Sequence, residues 1–416
     1  NTLPFRASSH FLYLFGAPLR GAHGLWDGTS WTLYVPAPAT DDPLWHGPEP
    51  SLTELQTILG CPVRPTDDLP RALAGLKVAT IPAVDLETCL VQSALVGREV
   101  RPGVLEPVDI PLADALIALR LIHDDHAVGE LRAAAAATAA AHRAGMKATR
   151  PGLRESNVRA AMEAELIARG MTVAYGSIVT VHGEVLHSYQ HHHLLGDGDL
   201  LLADVGAETA GGWAGDVTRT WPVRGRYSPT QKDLYDVVLA AQQETIRAVK
   251  PGARYRDLHL LASRRLAEGL VALGVLVGDP DELVADGVTA LLFPHGVGHL
   301  LGLDVHDMED LGDRAGYQPG RNRAQDFGIR YLRLDRDLAP GMALTIEPGL
   351  YIVPAILEDP ELAKRANGRL RRDRLAGFSD VRGIRIEDDV LVTAAGNEVL
   401  TAAIPKTRDA VESEMR

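Results

Sequence analysis

The feature that most restricts how this chain can fold is the placement of its carboxylates inside apolar, strand-like runs. Leu200-Leu201-Leu202-Ala203-Asp204-Val205 reads as a strand that carries Asp204. Residues 342–346 read as another, with Glu347 directly after it and a Pro348-Gly349 turn beyond. Residues 383–390 alternate as a third, which puts Arg385 and Glu387 on one face. A charge buried in a strand is costly unless it is paired or holds a cation. The fold must therefore bring these groups to compensating charge.

Asp216 lies in a strand expected over 213–223, twelve positions after Asp204 and across a Gly211-Gly212 turn. On facing arms of a hairpin the two carboxylates would converge. Taken alone, the pair also reads as a turn Asp and a salt-bridged Asp. Phe293-Pro294-His295-Gly296-Val297-Gly298-His299 sets two histidines among glycines, a poor core former and a good ligand setting. A structural role for either histidine stays open on that motif alone. Together, Asp204, Asp216, Glu347 and Glu387 with His299 carry too much charge for one metal. Such a set suits two divalent ions bridged by carboxylates, roughly 3.5–4 Å apart. Manganese, cobalt or zinc would fit mixed nitrogen and oxygen donors.

Other residues have plainer readings. Arg219 is expected as a structural salt-bridge partner, and His191-His192-His193 as a surface loop run. Asp388 and Asp389 are expected to face solvent or cap a strand end.

A length of 416 residues allows two or three domains. The formal charge of −13 argues against a nucleic-acid partner, which would need a basic face. No apolar run approaches the ~20 residues of a membrane helix, and the alanine-rich residues 133–141 read as a good helix instead. Two cysteines, Cys61 and Cys89, exclude a disulfide framework; they are expected as inert core residues in a cytoplasmic protein. The opening Asn1-Thr2-Leu3-Pro4 reads as a trimmed N-terminus rather than a signal peptide.

Residues 1–111 are expected to form a small α/β domain, with strands at 11–16, 31–36 and 76–81 and a short helix at 87–95. Pro102, Pro107 and Pro111 mark its end, and 112–416 make the second domain. Ser228-Pro229-Thr230-Gln231 is a helix start with a capping box and should run to just before Pro251-Gly252. Arg150-Pro151-Gly152 and Lys250-Pro251-Gly252 each precede a helix and later a histidine motif. That pattern suggests two copies of one unit with a site between them.

In order and context, Asp204, Asp216, His299, Glu347 and Glu387 resemble the metal ligands of the pita-bread metallopeptidases, and within them aminopeptidase P and prolidase. The motifs are Asp-Val-Thr-Arg, His-Gly-x-Gly-His, Thr-Ile-Glu-Pro-Gly and Arg-Ile-Glu-Asp. The likeness covers nearly the whole chain, including residues 11–16 and Leu44-Trp45-His46-Gly47 near the start. It implies an α+β protein: a C-terminal pita-bread (creatinase/aminopeptidase) fold behind a smaller N-terminal α/β domain of the creatinase/prolidase type. It also implies two divalent ions per chain, manganese first, with zinc or cobalt as alternatives. Asp216 and Glu387 would bridge them, Asp204 would bind one, and His299 with Glu347 the other. Glu347 would shuttle the proton to the leaving nitrogen, while His187 and His306 would orient substrate and stabilise the oxyanion. His295 and Arg385 would stand on the substrate side, Arg385 close to the ions. One departure is that the interval from Asp204 to Asp216 is a residue longer than the family's usual spacing. The Gly211-Gly212 turn would have to absorb it.

Gly328-Ile329-Arg330-Tyr331-Leu332-Arg333 resembles the prolidase pattern in which Arg333 grips the carboxylate of the substrate's proline. The long insertion between Tyr351 and Arg385 is similar to prolidase too, whereas the seventeen-position interval from His187 to Asp204 resembles aminopeptidase P. The expected function is an Xaa-Pro dipeptidase acting on small peptides with proline second, with aminopeptidase P as the alternative. A metal-free peptide-binding module is the remote alternative, against which all five ligands stand. Family analogy adds a homodimer.

Overall fold

In the computed structural model, which describes residues 5–37, 44–45 and 47–416, the Ser228 hydroxyl accepts the Gln231 N–H at 3.1 Å. The Gln231 side chain returns a 2.9 Å bond to the Ser228 N–H, and Pro229 opens a helix ending at Ala248. The capping box therefore works as its residues dictate. The opening Asn1-Thr2-Leu3-Pro4, and His46 of the Leu44-Trp45-His46-Gly47 stretch, lie outside the described residues.

Two units divide the chain, Asn1–Arg120 and Leu121–Arg416. In the first, β2 (Trp31–Val35) pairs antiparallel with β1 (His23–Trp26) and parallel with β3 (Val63–Pro65). Leu33 is fully buried against Leu55 and Val63. The strand expected over 11–16 is instead part of helix α1 (Ser9–Phe15). Its apolar run is too short for periodicity to decide, and local bonds do. The Ser8 hydroxyl caps the start, Gly16 closes the end at φ 65°, and Phe11 and Phe15 stack one turn apart at 4.8 Å. Residues 76–81 form no strand either. Thr80 N–H donates to the Asp109 carboxylate and the Ile81 carbonyl accepts from the Gln92 amide, so side chains take the bonds a ladder would use. Helices α2 (Leu52–Leu59), α3 (Leu86–Val96) and α4 (Ile110–Arg120) complete this unit's longer elements.

The second unit repeats one arrangement. Helices α5 (Asp125–Ala148) and α6 (Glu155–Ile167) pair, as do α7 (Pro229–Ala248) and α8 (Tyr255–Ala272). The two Pro-Gly turns between them match bond for bond. Gly152 N–H donates to Leu195 O and Leu195 N–H to Leu153 O; Gly252 N–H donates to Leu338 O and Leu338 N–H to Ala253 O. The first half carries the sheet β4 (Ile178–Thr180), β5 (Leu200–Asp204), β6 (Thr218–Pro222), with β5 central. The second carries β7 (Ala343–Ile346), β10 (Asp388–Thr393), β11 (Gly396–Val399), with β10 central. A short pair, β8 (Gly349–Tyr351) and β9 (Gly383–Arg385), lies beside them. The expected strand over 383–390 is thus broken, with Ile386 and Glu387 at the break.

Asp388 and Asp389 do not face solvent; both are buried. Asp388 pairs with Arg219 at 2.7 Å, and both side chains are fully enclosed. Burial alone would raise Asp388, but Arg219 and Lys406 outweigh it and hold its pKa at about 2. Cys89 is buried and Cys61 half-buried. The histidine run is pinned as well as partly exposed: His191 bonds the Ser177 carbonyl and His193 the buried Glu155.

Candidate metal centre

Asp204 ends β5 and Asp216 precedes β6. Between them the backbone crosses itself so closely that a Cβ on Gly206 would run into the Gly215 carbonyl. Gly215 N–H to Ala207 O at 2.8 Å and Val205 N–H to Val217 O at 3.1 Å hold the crossing. The longer interval loops out at Gly211-Gly212, where Gly212 adopts φ 87° and bonds back to Thr209. Both carboxylates reach one hydroxyl, that of Tyr175, at 2.5 Å from Asp204 and 2.6 Å from Asp216.

His299 and Glu347 lie on adjacent segments: Thr345 N–H donates to His299 O and Glu347 N–H to Val297 O. Gly298 permits this approach at φ 146°, since a side chain there would run into the Thr345 carbonyl and the Tyr255 hydroxyl. His299 Nδ1 donates to Leu300 O at 2.9 Å. Its Nε2 then stands 3.3 Å from Asp216 Oδ2 and 3.7 Å from Glu347 Oε1. Glu387 is fixed twice by Thr218, through its own N–H and through a 2.7 Å bond from the Thr218 hydroxyl. Donor atoms of Asp216, His299 and Glu387 all fall within 4.8 Å of one another.

The electrostatics of this cluster call for positive charge. Burial and the neighbouring Asp204 push Asp216 up to about 8, and burial carries Glu347 to about 7 although His299 and Arg385 oppose it. Burial, Asp216 and Glu347 hold Glu387 well above the usual carboxylate range. His299 is lowered by burial, which leaves it neutral. Uncompensated carboxylates with a neutral imidazole among them are a donor set that divalent cations would satisfy. Behind it, Asp389 accepts the Asp216 N–H and is itself raised by burial and Asp216.

The other sequence-derived residues surround the cluster. Arg385 donates to Asp204 at 2.7 Å, to the Thr218 hydroxyl at 2.9 Å and to the Tyr351 hydroxyl at 3.0 Å, so its named bonds all go to protein groups. His295 bonds the Tyr351 hydroxyl at 2.8 Å and the Gly296 carbonyl, and its Nδ1 is 3.9 Å from Glu347. The His306 ring stands edge-on to His299 at 4.3 Å. Burial and then His299 lower its pKa to about 3. His187 is exposed; burial of part of its ring lowers its pKa, with Arg385 and Arg333 adding to the effect and Asp204 opposing it. Arg333 lines a cavity of about 210 Å³ together with His299, His306, Glu309 and Arg323.

Tyr175, Tyr351 and Glu309 were not singled out by their sequence. Tyr175 sits in an unremarkable Ala-Tyr-Gly stretch, and only the folded geometry brings its hydroxyl between two aspartates.

Residues 129–394 match metallopeptidase family M24, and residues 1–80 match the aminopeptidase P N-terminal domain. A probable Xaa-Pro aminopeptidase pepP of Talaromyces marneffei is 33% identical over 98% of this chain and 87% of its own length. The Xaa-Pro dipeptidase of Homo sapiens is 32% identical over 99% of this chain and 84% of its own length. Among solved structures, zinc-substituted Escherichia coli aminopeptidase P in complex with product superposes with a TM-score of 0.81 at 29% identity, covering 100% of this chain and 90% of that one.

Proposed function

The chain belongs to metallopeptidase family M24, with the α+β pita-bread fold of aminopeptidase P behind an N-terminal domain, and on that premise we propose that it hydrolyses the Xaa-Pro bond of dipeptides. Asp216 and Glu387 would bridge two divalent ions, with Asp204 completing one and His299 and Glu347 the other. Manganese is our choice of ion; zinc and cobalt suit the same donors. Bound there, the ions supply Lewis acidity to the scissile carbonyl and to water.

The chain's own groups do the rest. Glu347, at the cluster's edge, carries a proton to the departing proline nitrogen. His187 offers a ring N–H to the substrate carbonyl as it gains negative charge, and His306, whose Nδ1–H is engaged by Glu309, orients the substrate beside it. Tyr175 and Arg385 hold Asp204 in place, which fixes the donor geometry before any ion arrives.

The dipeptidase reading rests on one observation: Arg333 shares its cavity with His299 and His306. A guanidinium there suits a free proline carboxylate. The wild-type enzyme with manganese should cleave Ala-Pro with a higher kcat/KM than Ala-Pro-amide. Arg333→Ala should lower kcat/KM for Ala-Pro by roughly 10–150-fold, the weight of a charge-assisted bond, and leave Ala-Pro-amide nearly unchanged. Equal losses on both would make Arg333 structural. A second reading, aminopeptidase P, has its own observation in favour: the Glu309 carboxylate already lies on Arg333. Equal cleavage of Ala-Pro and of longer Ala-Pro peptides would establish it.

A further inference from the structure

The pairing of Arg333 points to a residue that sets which substrates the site prefers. Glu309 divides its carboxylate between two groups of the proposed substrate pocket. Oε1 takes the Arg333 guanidinium and Oε2 takes His306 Nδ1, the latter at 2.8 Å. A carboxylate bridging that arginine and that histidine occupies the ground on which a dipeptide's C-terminal carboxylate would have to arrive. The cavity's other guanidinium, Arg323, offers no substitute. It is held by Asp313 at 3.1 Å and by the carbonyls of Arg330 and Leu332 at 3.0 and 2.7 Å.

The backbone is built to present this side chain. Met308, immediately before Glu309, is buried and adopts φ 58°, a left-handed conformation unfavourable for a non-glycine residue. The conformation starts the turn Glu309–Leu311, in which Glu309 N–H bonds back to His306 O and Gly312 N–H to Glu309 O. Strain of this kind persists where the surroundings over-determine it. Here it aims Glu309 back across its own turn at His306. The pair is also displaceable: the Glu309 side chain is 49% exposed and that of Arg333 35%, so solvent weakens their attraction.

We propose that Glu309 is a built-in stand-in for the substrate carboxylate, a positioning residue that masks Arg333 and so restrains the enzyme's preference for free dipeptides over peptides extended beyond proline. The proposal rests on the dipeptidase reading of Arg333. A dipeptide binds by displacing Glu309 from Arg333, whereas a dipeptide amide has no carboxylate with which to do so. Removing the Glu309 charge therefore lowers KM for the dipeptide relative to its amide, whereas any change that runs through the His306 bond falls on both substrates alike.

The test uses the manganese-loaded enzyme with Ala-Pro and Ala-Pro-amide. Glu309→Gln keeps the side chain's shape. It should lower KM for Ala-Pro relative to that for Ala-Pro-amide by roughly two- to fivefold, the weight of one partly exposed ion pair, while any change in kcat that runs through the His306 bond should be shared by both substrates. Glu309→Asp, which keeps the charge, should stay near wild type. In the Arg333→Ala background, Glu309→Gln should bring no gain for Ala-Pro over its amide, because that preference runs through the guanidinium. An unchanged Ala-Pro KM, an equal fall on both substrates, or a gain that survives Arg333→Ala overturns the proposal while leaving the dipeptidase reading standing. If Arg333→Ala alone impairs Ala-Pro and its amide equally, the dipeptidase reading itself fails and the role of Glu309 falls with it.

Discussion

At the residue scale, burial and neighbouring charge separate groups that look alike in sequence. Asp388 and Asp389 are adjacent buried aspartates, yet Arg219 and Lys406 hold the first at about 2 while burial beside Asp216 raises the second. No pattern in Ile-Glu-Asp-Asp-Val foretells this, because both cations come from distant positions. The same logic separates our ligands from our substrate contacts and yields a paired prediction. Glu347→Gln should lose most turnover, at least the roughly 10²-fold that a proton-transferring group contributes, and should also bind metal more weakly. His306→Ala should lose activity while retaining wild-type metal content by elemental analysis, because its named bond is to Glu309 rather than to a carboxylate of the cluster. Metal loss in His306→Ala would mean that this division is drawn in the wrong place.

At the scale of elements, legibility followed how local the determinants are. The helix at Ser228 was readable because its cap, its proline and its capping glutamine are neighbours in sequence. The apolar run at 11–16 reads as a strand in sequence, since the aromatic pair and terminal glycine that make it helical also suit a strand end. The break at Ile386-Glu387 was invisible because it is imposed by the β8 and β7 partners on either side. Helix α5 adds a buried determinant of pH stability. His142 is fully buried, bonds the Val205 carbonyl through Nε2, and stands edge-on to Trp221. Burial, with Arg219 adding to it, lowers its pKa to about 4, against about 6.5 for the unfolded chain. Above pH 6.5 both states hold it neutral and it costs nothing. As pH falls from 6.5 to 4 the unfolded state takes the proton and the folded state does not, so stability drops by up to about 1.4 kcal/mol for each pH unit of that interval. Denaturant unfolding of chelated wild type and His142→Gln should therefore show a gap that narrows on acidification between pH 6.5 and 4. A gap independent of pH would show that His142 is not the buried neutral group described here.

At the scale of the molecule, the two repeated halves of the unit Leu121–Arg416 each deliver part of one charged cluster. Asp204 and Asp216 come from the first half, and His299, Glu347 and Glu387 from the second. The repeat of Pro-Gly turns was visible in sequence, and so were the five residues. The Tyr175 hydroxyl and the buried Asp389 carboxylate that hold them were not, because they are joined only by folding; Arg385 was legible beside Glu387, but its bond to Asp204 was not. This geometry makes a further demand on stability. Asp216, Glu347 and Glu387 resist ionisation together, so at neutral pH the cluster stripped of cations would strain against its own charge and solvation. Cations that bind the folded cluster and not the unfolded chain stabilise by mass action, about 2.7 kcal/mol for a site at a hundredfold excess over its Kd. Calorimetry of manganese-saturated and exhaustively chelated protein should show a fall in Tm of several degrees on chelation. Re-addition of manganese should restore both Tm and activity. Asp216→Asn, which removes the proposed bridge, should melt at the same temperature with and without manganese. An unchanged Tm in the chelated wild type, with activity intact, would mean that these carboxylates are held by the protein alone and would end the two-ion reading.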